Sequence, residues 1–369
     1  MEYTVRKQNI RRKILMRYND NTECPLVRKE LPCRWDDARN YCSGLARVKL
    51  DGRWGFVDKA GTLVIPCTWD DTSDFQEDLA RVRKGEKYGF IDKTGTVIAT
   101  CQWDYAEDFR EGLAPVKLDY KWGFIDKTGE LVIPCQWEHA CNFYEGFAEI
   151  KLDGKWGFID KTGTIVIPCQ WDSAAYFSYG LARVERENKM GFIDKTGELV
   201  IPCQWEDESW DFVEGLASVC DNGKWGFIDT TGALVSHCQW DEAEEFSEGL
   251  TWVVCNGKYG YIDKSGTVVI PCQWEKAWSF TEGLAWVKRN GKYGFIDKNG
   301  AEVIPCEWGK VGEFHEGLAR VADGAFIDKT GSVVILYDWD QAYDFQEGLA
   351  RVCCDGKWGF IDKTGRVVV

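Results

Sequence analysis

Along most of its length the chain alternates apolar and polar residues over runs of about six, then breaks at turn-forming pairs. Leu113-Ala-Pro-Val-Lys-Leu118 alternates in this way and is followed by Asp119-Tyr120, where most equivalent places have Asp-Gly or Asn-Gly. Such pairs predict a two-residue hairpin, because both residues tolerate a positive φ. Lys121-Trp-Gly-Phe-Ile-Asp126 predicts the second strand. Asp126-Lys-Thr-Gly129 predicts a turn capped by the aspartate, and Glu130-Leu-Val-Ile-Pro134 a third strand that Pro brings to an end. Across residues 101–112 the period changes. Trp103, Ala106 and Phe109 lie three apart, Asp104 can cap and Gly112 can stop, which predicts a short return helix of about one and a half turns.

This pattern is repeated. The aromatic residue two places before the Asp of the turn falls at Phe56, Phe90, Phe124, Phe158, Phe192, Phe227, Tyr261, Phe295, Phe326 and Phe360, spaced by 34 or 35 residues with one interval of 31. Cut at the cysteine of Pro-Cys-Gln-Trp, ten units run from Cys33 to the last residue. A unit of this size cannot bury its Trp, Phe and Ile alone, so it must pack against neighbours. The expected fold is therefore an all-β repeat protein of ten units. Each unit is a three-stranded antiparallel meander plus the return helix, and the units stack as an open β-superhelix, or solenoid. A closed propeller-like ring is the alternative. The open form is preferred because the last unit already holds all three strands, ending Gly-Arg-Val-Val-Val369. Residues 1–32 then read as a degenerate capping repeat, and residues 33–369 as one continuous array.

Trp/Tyr-Gly-Phe-Ile-Asp-Lys-Thr-Gly, Val-Ile-Pro, Trp-Asp and Glu-Gly-Leu-Ala recur at one fixed period. In this the chain resembles the WG-repeat (KWG) family of bacterial proteins, over residues 33–369. The resemblance implies an all-β repeat module in variable copy number, which suits an open array. It implies no reaction, cofactor or catalytic residue. Met190 in place of the WG aromatic, Thr230 in place of the turn Lys, and the shortened ninth unit depart from the pattern.

Charge and composition narrow the function. The formal net charge of −15 argues against a general nucleic-acid binder. No apolar run is long enough for a membrane span. The start lacks the apolar core of a secretory signal, which gives a cytoplasmic expectation with the 16 Cys as reduced thiols. Nine of these Cys share one repeat position and read as small core residues. No Cys-x-x-Cys occurs and the three His occupy three different repeat positions, so no metal site is expected. The ten turn aspartates share one environment, whereas acid–base chemistry needs two carboxylates in different ones. They read as turn caps. No nucleophile elbow or phosphate loop appears. The chain is accordingly expected to be no enzyme and to carry no cofactor.

Acidic residues gather in the return segment (Asp104, Glu107, Asp108, Glu111) and Lys at the turn, predicting an acidic and a basic row. These rows read as solubility, or as a surface for a partner of basic charge. The basic N-terminal stretch reads as part of the cap. Of 19 Trp, ten fall before the Asp position and five in WG pairs. Trp210, Trp252, Trp278 and Trp286 fall outside both sets. Trp252 and Trp286 occupy the third position of Leu-Ala-x-Val, where other units have Arg, Pro, Glu or Ser, which predicts a solvent-facing site. Trp278 and Trp210 share a slot that is Glu107 and Glu244 elsewhere. The four are the candidate partner-binding residues, with Trp252 and Trp286 side by side at its centre. The leading expectation is a non-enzymatic scaffold for a protein partner. A carbohydrate-binding module using exposed Trp is the alternative.

Overall fold

In the computed structural model, residues 33–206, 211–321, 324–336 and 339–368 are described. The capping repeat expected over residues 1–32 lies outside them, as does Trp210. The described residues form ten small antiparallel sheets, eight of four strands and two of three, each a meander in chain order. The second strands of blades 1 to 10 are Leu45–Leu50, Leu79–Lys84, Leu113–Leu118, Phe147–Leu152, Leu181–Arg186, Leu216–Asp221, Leu250–Cys255, Ala285–Arg289, Leu318–Val321 and Leu349–Cys354. In blade 3 the four strands are Tyr105–Ala106, Leu113–Leu118, Lys121–Asp126 and Leu131–Trp137.

The hairpins form as their turn residues predict. Asp119 and Tyr120 have φ of 49° and 65°, and Asp51-Gly52 has 49° and 77°. In the Asp-Lys-Thr-Gly turn, Asp126 Oδ1 accepts from the N–H groups of Thr128 and Glu130 and from the Thr128 hydroxyl. The return helix does not form: among the described residues there is no helix. Its place is taken by a short first strand and a second hairpin. Glu111 and Gly112 are the left-handed pair of that hairpin (φ 49° and 87°), with Arg110 and Leu113 exchanging backbone hydrogen bonds. The spacing of three has a different cause. In blade 1 Ala38 pairs with Val48 and Tyr41 with Ala46, so three steps on one strand face two on the other. This bulge returns the third residue to the buried face.

The glycine of the Trp-Gly pair is set by a close approach. A Cβ on Gly123 would lie 2.4 Å from the Ile133 carbonyl oxygen and 2.7 Å from the Cys135 nitrogen, where the fourth strand crosses it. Blade 9 has Ala325 at this place, and there the fourth strand is only Val333–Ile335, against seven residues in blade 3.

The blades close into a ring. Each junction joins a third-strand aromatic to an aromatic of the return segment of the next blade. Phe56–Phe75 centroids are 4.8 Å apart, Phe124–Phe143 5.0 Å and Phe295–Phe314 4.8 Å. The pair Phe360–Tyr41, also 4.8 Å, makes the same contact between blade 10 and blade 1. Trp35 pairs with Trp358 as Trp69 pairs with Trp54 inside blade 1. Val367 pairs with Ile361 on the same third strand. The outer strand of blade 10 is therefore split, with residues 366–368 forming one end and residues 33–35 the other. Counting Cys33 as the start of unit 1 hid this. Those residues complete unit 10, so the array is a ten-bladed β-propeller, not an open superhelix. A core cluster of Trp35, Ala38, Tyr41, Val48, Leu349 and Phe360 fills the seam.

Charged side chains fasten the junctions rather than forming separate rows. At one end, Glu77 of blade 2 accepts from the Gly112 N–H of blade 3 and pairs with Lys127 at 3.0 Å. Glu111–Lys161, Glu145–Lys195, Glu214–Lys264, Glu248–Lys298, Glu282–Lys329, Glu316–Lys363 and Glu347–Lys59 repeat this, so eight of the ten junctions have it. Tyr179 replaces the Glu at the junction of blades 5 and 6, and the matching Lys is Thr230. Ser43 replaces it between blades 1 and 2, and Lys93 turns to Asp78 of its own blade at 2.7 Å. At the other end, Lys87 meets Asp104, Lys224 meets Asp241 and Lys357 meets Asp36.

Candidate functional site

The third residue of the second strand lies on the same face as the leucine that packs into the next blade. In blade 1, Leu45 clusters with Phe75 and Val82 of blade 2. A side chain at this place therefore points into a junction, and only its length decides whether it reaches solvent. Trp252 is 8% exposed and belongs to a core with Phe280, Ala285 and Val287; its ring lies 5.2 Å from Tyr259. Trp252 is not a surface residue. Glu149 and Ser218 are 3% exposed and Arg351 7%, so three of the polar residues that suggested a solvent-facing site are themselves buried.

Trp286 is half-buried and Trp278 is exposed. Their rings stack face to face, with centroids 5.5 Å apart and planes within 10°. Trp286 also meets Tyr293 edge-on at 5.4 Å. The Trp278 backbone is fixed on both sides: its N–H donates to the Trp286 carbonyl at 3.2 Å, and the Tyr261 hydroxyl donates to its own carbonyl at 2.7 Å. Trp278 Nε1 donates to Glu313 of the next blade at 2.9 Å, and the Thr281 hydroxyl donates to the other oxygen at 3.0 Å. The structure thus brings together Trp278 and Trp286, and separates Trp252 from the surface. The stacked pair comes from neighbouring strands of one blade, not from equivalent places in neighbouring blades.

The arrangement offers a flat apolar face beside a carboxylate. The periodic cysteines are half-buried rather than fully buried. Cys67 Sγ donates to the Val48 carbonyl at 3.7 Å, and burial pushes its thiol up. Burial likewise pushes Cys33 up to about 12, so these thiols are poorly nucleophilic. Asp126 is held below the usual carboxylate range, chiefly by the Thr128 hydroxyl. Among the described residues, no group of three or more His, Cys, Asp or Glu is arranged to hold a metal ion. No helix long and apolar enough to cross a membrane is present among the described residues.

Residues that the sequence reading passed over also meet at junctions. Arg47 pairs with Asp74 at 2.7 Å, Arg183 with Asp211 at 2.9 Å, and Arg320 approaches Asp344 at 3.9 Å. Each Arg is the third residue of its second strand, and each Asp sits 24 to 28 places on, which makes a covarying column within one chain. Glu149 breaks that column.

Among solved structures, one titled as a eukaryotic initiation factor is similar, at 10% identity and a TM-score of 0.48, covering 79% of this chain and 95% of that one. Hsv2p of Kluyveromyces lactis aligns at 8% identity and a TM-score of 0.34, over 60% of this chain and 89% of its own. PorZ of Porphyromonas gingivalis, titled as a surface component of the type-IX secretion system, aligns at 8% identity and 0.30, over 90% of this chain and 58% of its own. No curated protein matches the chain. The model of the WG containing repeat matches ten consecutive segments, from residues 30–54 through 325–358. With that match running over most of its length, the chain belongs to the WG-repeat family.

Proposed function

We propose that the protein is a non-enzymatic scaffold that binds a protein partner, with Trp278 and Trp286 as an anchor. The observation that carries this reading is the stacked pair, of which Trp278 is 43% exposed although its backbone is hydrogen-bonded on both sides. A rigid exposed Trp loses little entropy on binding, and Trp dominates the energetics of protein interfaces. Glu313, held beside the ring, adds a carboxylate suited to a partner of basic charge. An aromatic face can also stack on a sugar ring, so a glycan is the competing ligand. Replacing Trp278 with Ala and Trp286 with Arg, the residue found at that place in five blades, tests both. A protein retained from host extract by the native chain should be lost by the variant. Undiminished retention would remove the anchor, and loss of binding to a glycan array without loss of protein capture would favour the carbohydrate reading.

A further inference from the structure

Nine cysteines share one repeat position, and the crossing of two strands fixes where their sulphurs go. A Cβ on Gly260 would lie 2.6 Å from the Cys272 nitrogen, so the fourth strand of blade 7 passes directly over the third. This carries the cysteine across to the second strand. Cys272 Sγ donates to the Val253 carbonyl at 3.9 Å. Cys67, Cys135, Cys238 and Cys306 reach the Val48, Val116, Val219 and Val287 carbonyls in the same way, at 3.7 to 3.9 Å. Cα atoms of the second and fourth strands come within 8 Å in these blades, although the third strand lies between them in the hydrogen-bonded order.

The residue two places beyond that valine ends the second strand and points to the same face. It is Leu118 in blade 3 and Leu152 in blade 4, and each packs together with its own blade's cysteine, Cys135 or Cys169, against one core cluster. In blade 7 it is Cys255, which packs with Cys272 against Leu216, Phe227 and Trp240. In blade 10 it is Cys354. The cysteine that faces Cys354 is Cys33, because residues 33–35 complete the outer strand there, Trp35 pairing with Trp358 as Trp69 does with Trp54. Burial first, then Cys354 and then Cys353, raise the Cys33 thiol to about 12. Cys353 has the place of Val254, which faces the other way and packs with Trp274. The remaining blades with the periodic cysteine have Leu, Lys, Arg or Asp opposite it.

We propose that Cys33 and Cys354 are a disulfide-forming pair, and that their oxidation places a covalent clasp across the seam of the ring. Cys255 and Cys272 form the equivalent bond inside blade 7. The oxidant is a small-molecule disulfide such as oxidised glutathione. One cysteine sulphur attacks it and expels a first glutathione, and the facing cysteine attacks the mixed disulfide and expels the second. Each departing glutathione takes up one of the two thiol protons, so one disulfide is consumed and one is formed. Burial of Cys33 makes the exchange slow at neutral pH and faster as pH rises. The two bonds differ in what they hold. Cys255 and Cys272 lie 17 places apart in a blade that is already continuous, whereas Cys33 and Cys354 lie 321 apart and close almost the whole ring. The longer loop gives the larger constraint on the unfolded chain.

The reduced full-length chain, incubated with oxidised glutathione at mildly alkaline pH, is digested without reductant and read by mass spectrometry. Peptides joined through Cys33–Cys354 and through Cys255–Cys272 should appear. On a non-reducing denaturing gel the oxidised chain should run ahead of the reduced one, and dithiothreitol should reverse the shift. Oxidation should raise the melting temperature by about 5 °C. Cys354→Leu, which installs the residue found at that place in three blades, should remove the gel shift and most of the thermal gain. Cys255→Leu should keep both. If Cys33 and Cys354 stay unjoined, or Cys33 pairs with Cys353 or any other cysteine, the clasp is overturned. An undiminished thermal gain in Cys354→Leu also overturns it.

Discussion

At Gly123 a single hydrogen atom decides whether two strands can meet. A Cβ there would sit 2.4 Å from the Ile133 carbonyl, so Gly123→Ala must push the fourth strand outward. Overpacking of this kind costs about 2 kcal/mol, which denaturant unfolding would measure. Blade 9 already carries the substitution as Ala325, together with a shortened fourth strand. Tyr120 presents the opposite case. It holds φ of 65° where most other blades have Gly, and it is 86% exposed, so it gains nothing by packing. Tyr120→Gly should stabilise the protein by about 1 kcal/mol, and no change on thermal melting would refute the strain. Glu149 supplies a pH signature. Burial holds its folded pKa at about 8, above the ordinary glutamate value of 4.5. A raised pKa gives a contribution that is complete below 4.5 and is lost as pH rises through 8. Stability should therefore fall by up to about 1.4 kcal/mol per pH unit across that window, and Glu149→Gln should flatten the slope. Sequence alone placed Glu149 at the right repeat position but on the wrong side of the surface. Arg, Glu and Ser there looked incompatible with burial, because the carbonyl and carboxylate that receive them belong to the next unit.

The elements of a blade were legible where their chemistry is local. Asp-Gly and Asp-Lys-Thr-Gly specify turns through φ and a capping carboxylate, and both formed. The return segment was not, since a bulge and a helix both bring every third residue to one face, and only the pairing of Ala38 with Val48 and Tyr41 with Ala46 separates them. Pairing between elements also explains two departures from the repeat. Tyr179 and Thr230 lie on opposite sides of one junction, where other junctions have a Glu–Lys pair. In Glu77, partial burial works against ionisation, yet Lys127 and the Gly112 N–H together hold it below the usual range. Restoring Tyr179→Glu and Thr230→Lys together should exceed the sum of the single changes by about 0.5 kcal/mol, a modest figure because such pairs are largely solvated. A double-mutant cycle by thermal melting measures this. Additive changes would show that the pair does not fasten the junction. Because Glu77 titrates below the ordinary glutamate value of 4.5, the stability it gives is present above 4.5 and lost at acid pH, opposite in sign to Glu149.

Across the whole ring, closure depends on three residues that a repeat count assigns to the wrong end. Trp35 is 2% exposed, and its carbonyl accepts from the Trp358 N–H at 2.9 Å while the Arg34 and Trp35 N–H groups donate to the Trp358 carbonyl. Trp205 holds the same place in blade 5, pairing with Met190 through an uninterrupted strand. Trp35→Ala and Trp205→Ala each remove a buried indole, at a local cost of about 3 to 5 kcal/mol. Their consequences for shape differ. In blade 5 the chain runs on through Trp205, so covalent continuity holds the neighbouring blades together. At the seam no peptide bond joins Trp35 to Trp358. There the ring is held by backbone pairing, by the Phe360–Tyr41 contact and by the cluster around Leu349. Small-angle scattering below the unfolding midpoint should show a larger radius of gyration for Trp35→Ala and an unchanged one for Trp205→Ala. Proteolysis should likewise begin near the seam only in the first variant. An open array would make the two positions equivalent, so equal scattering from both variants would contradict the closed ring.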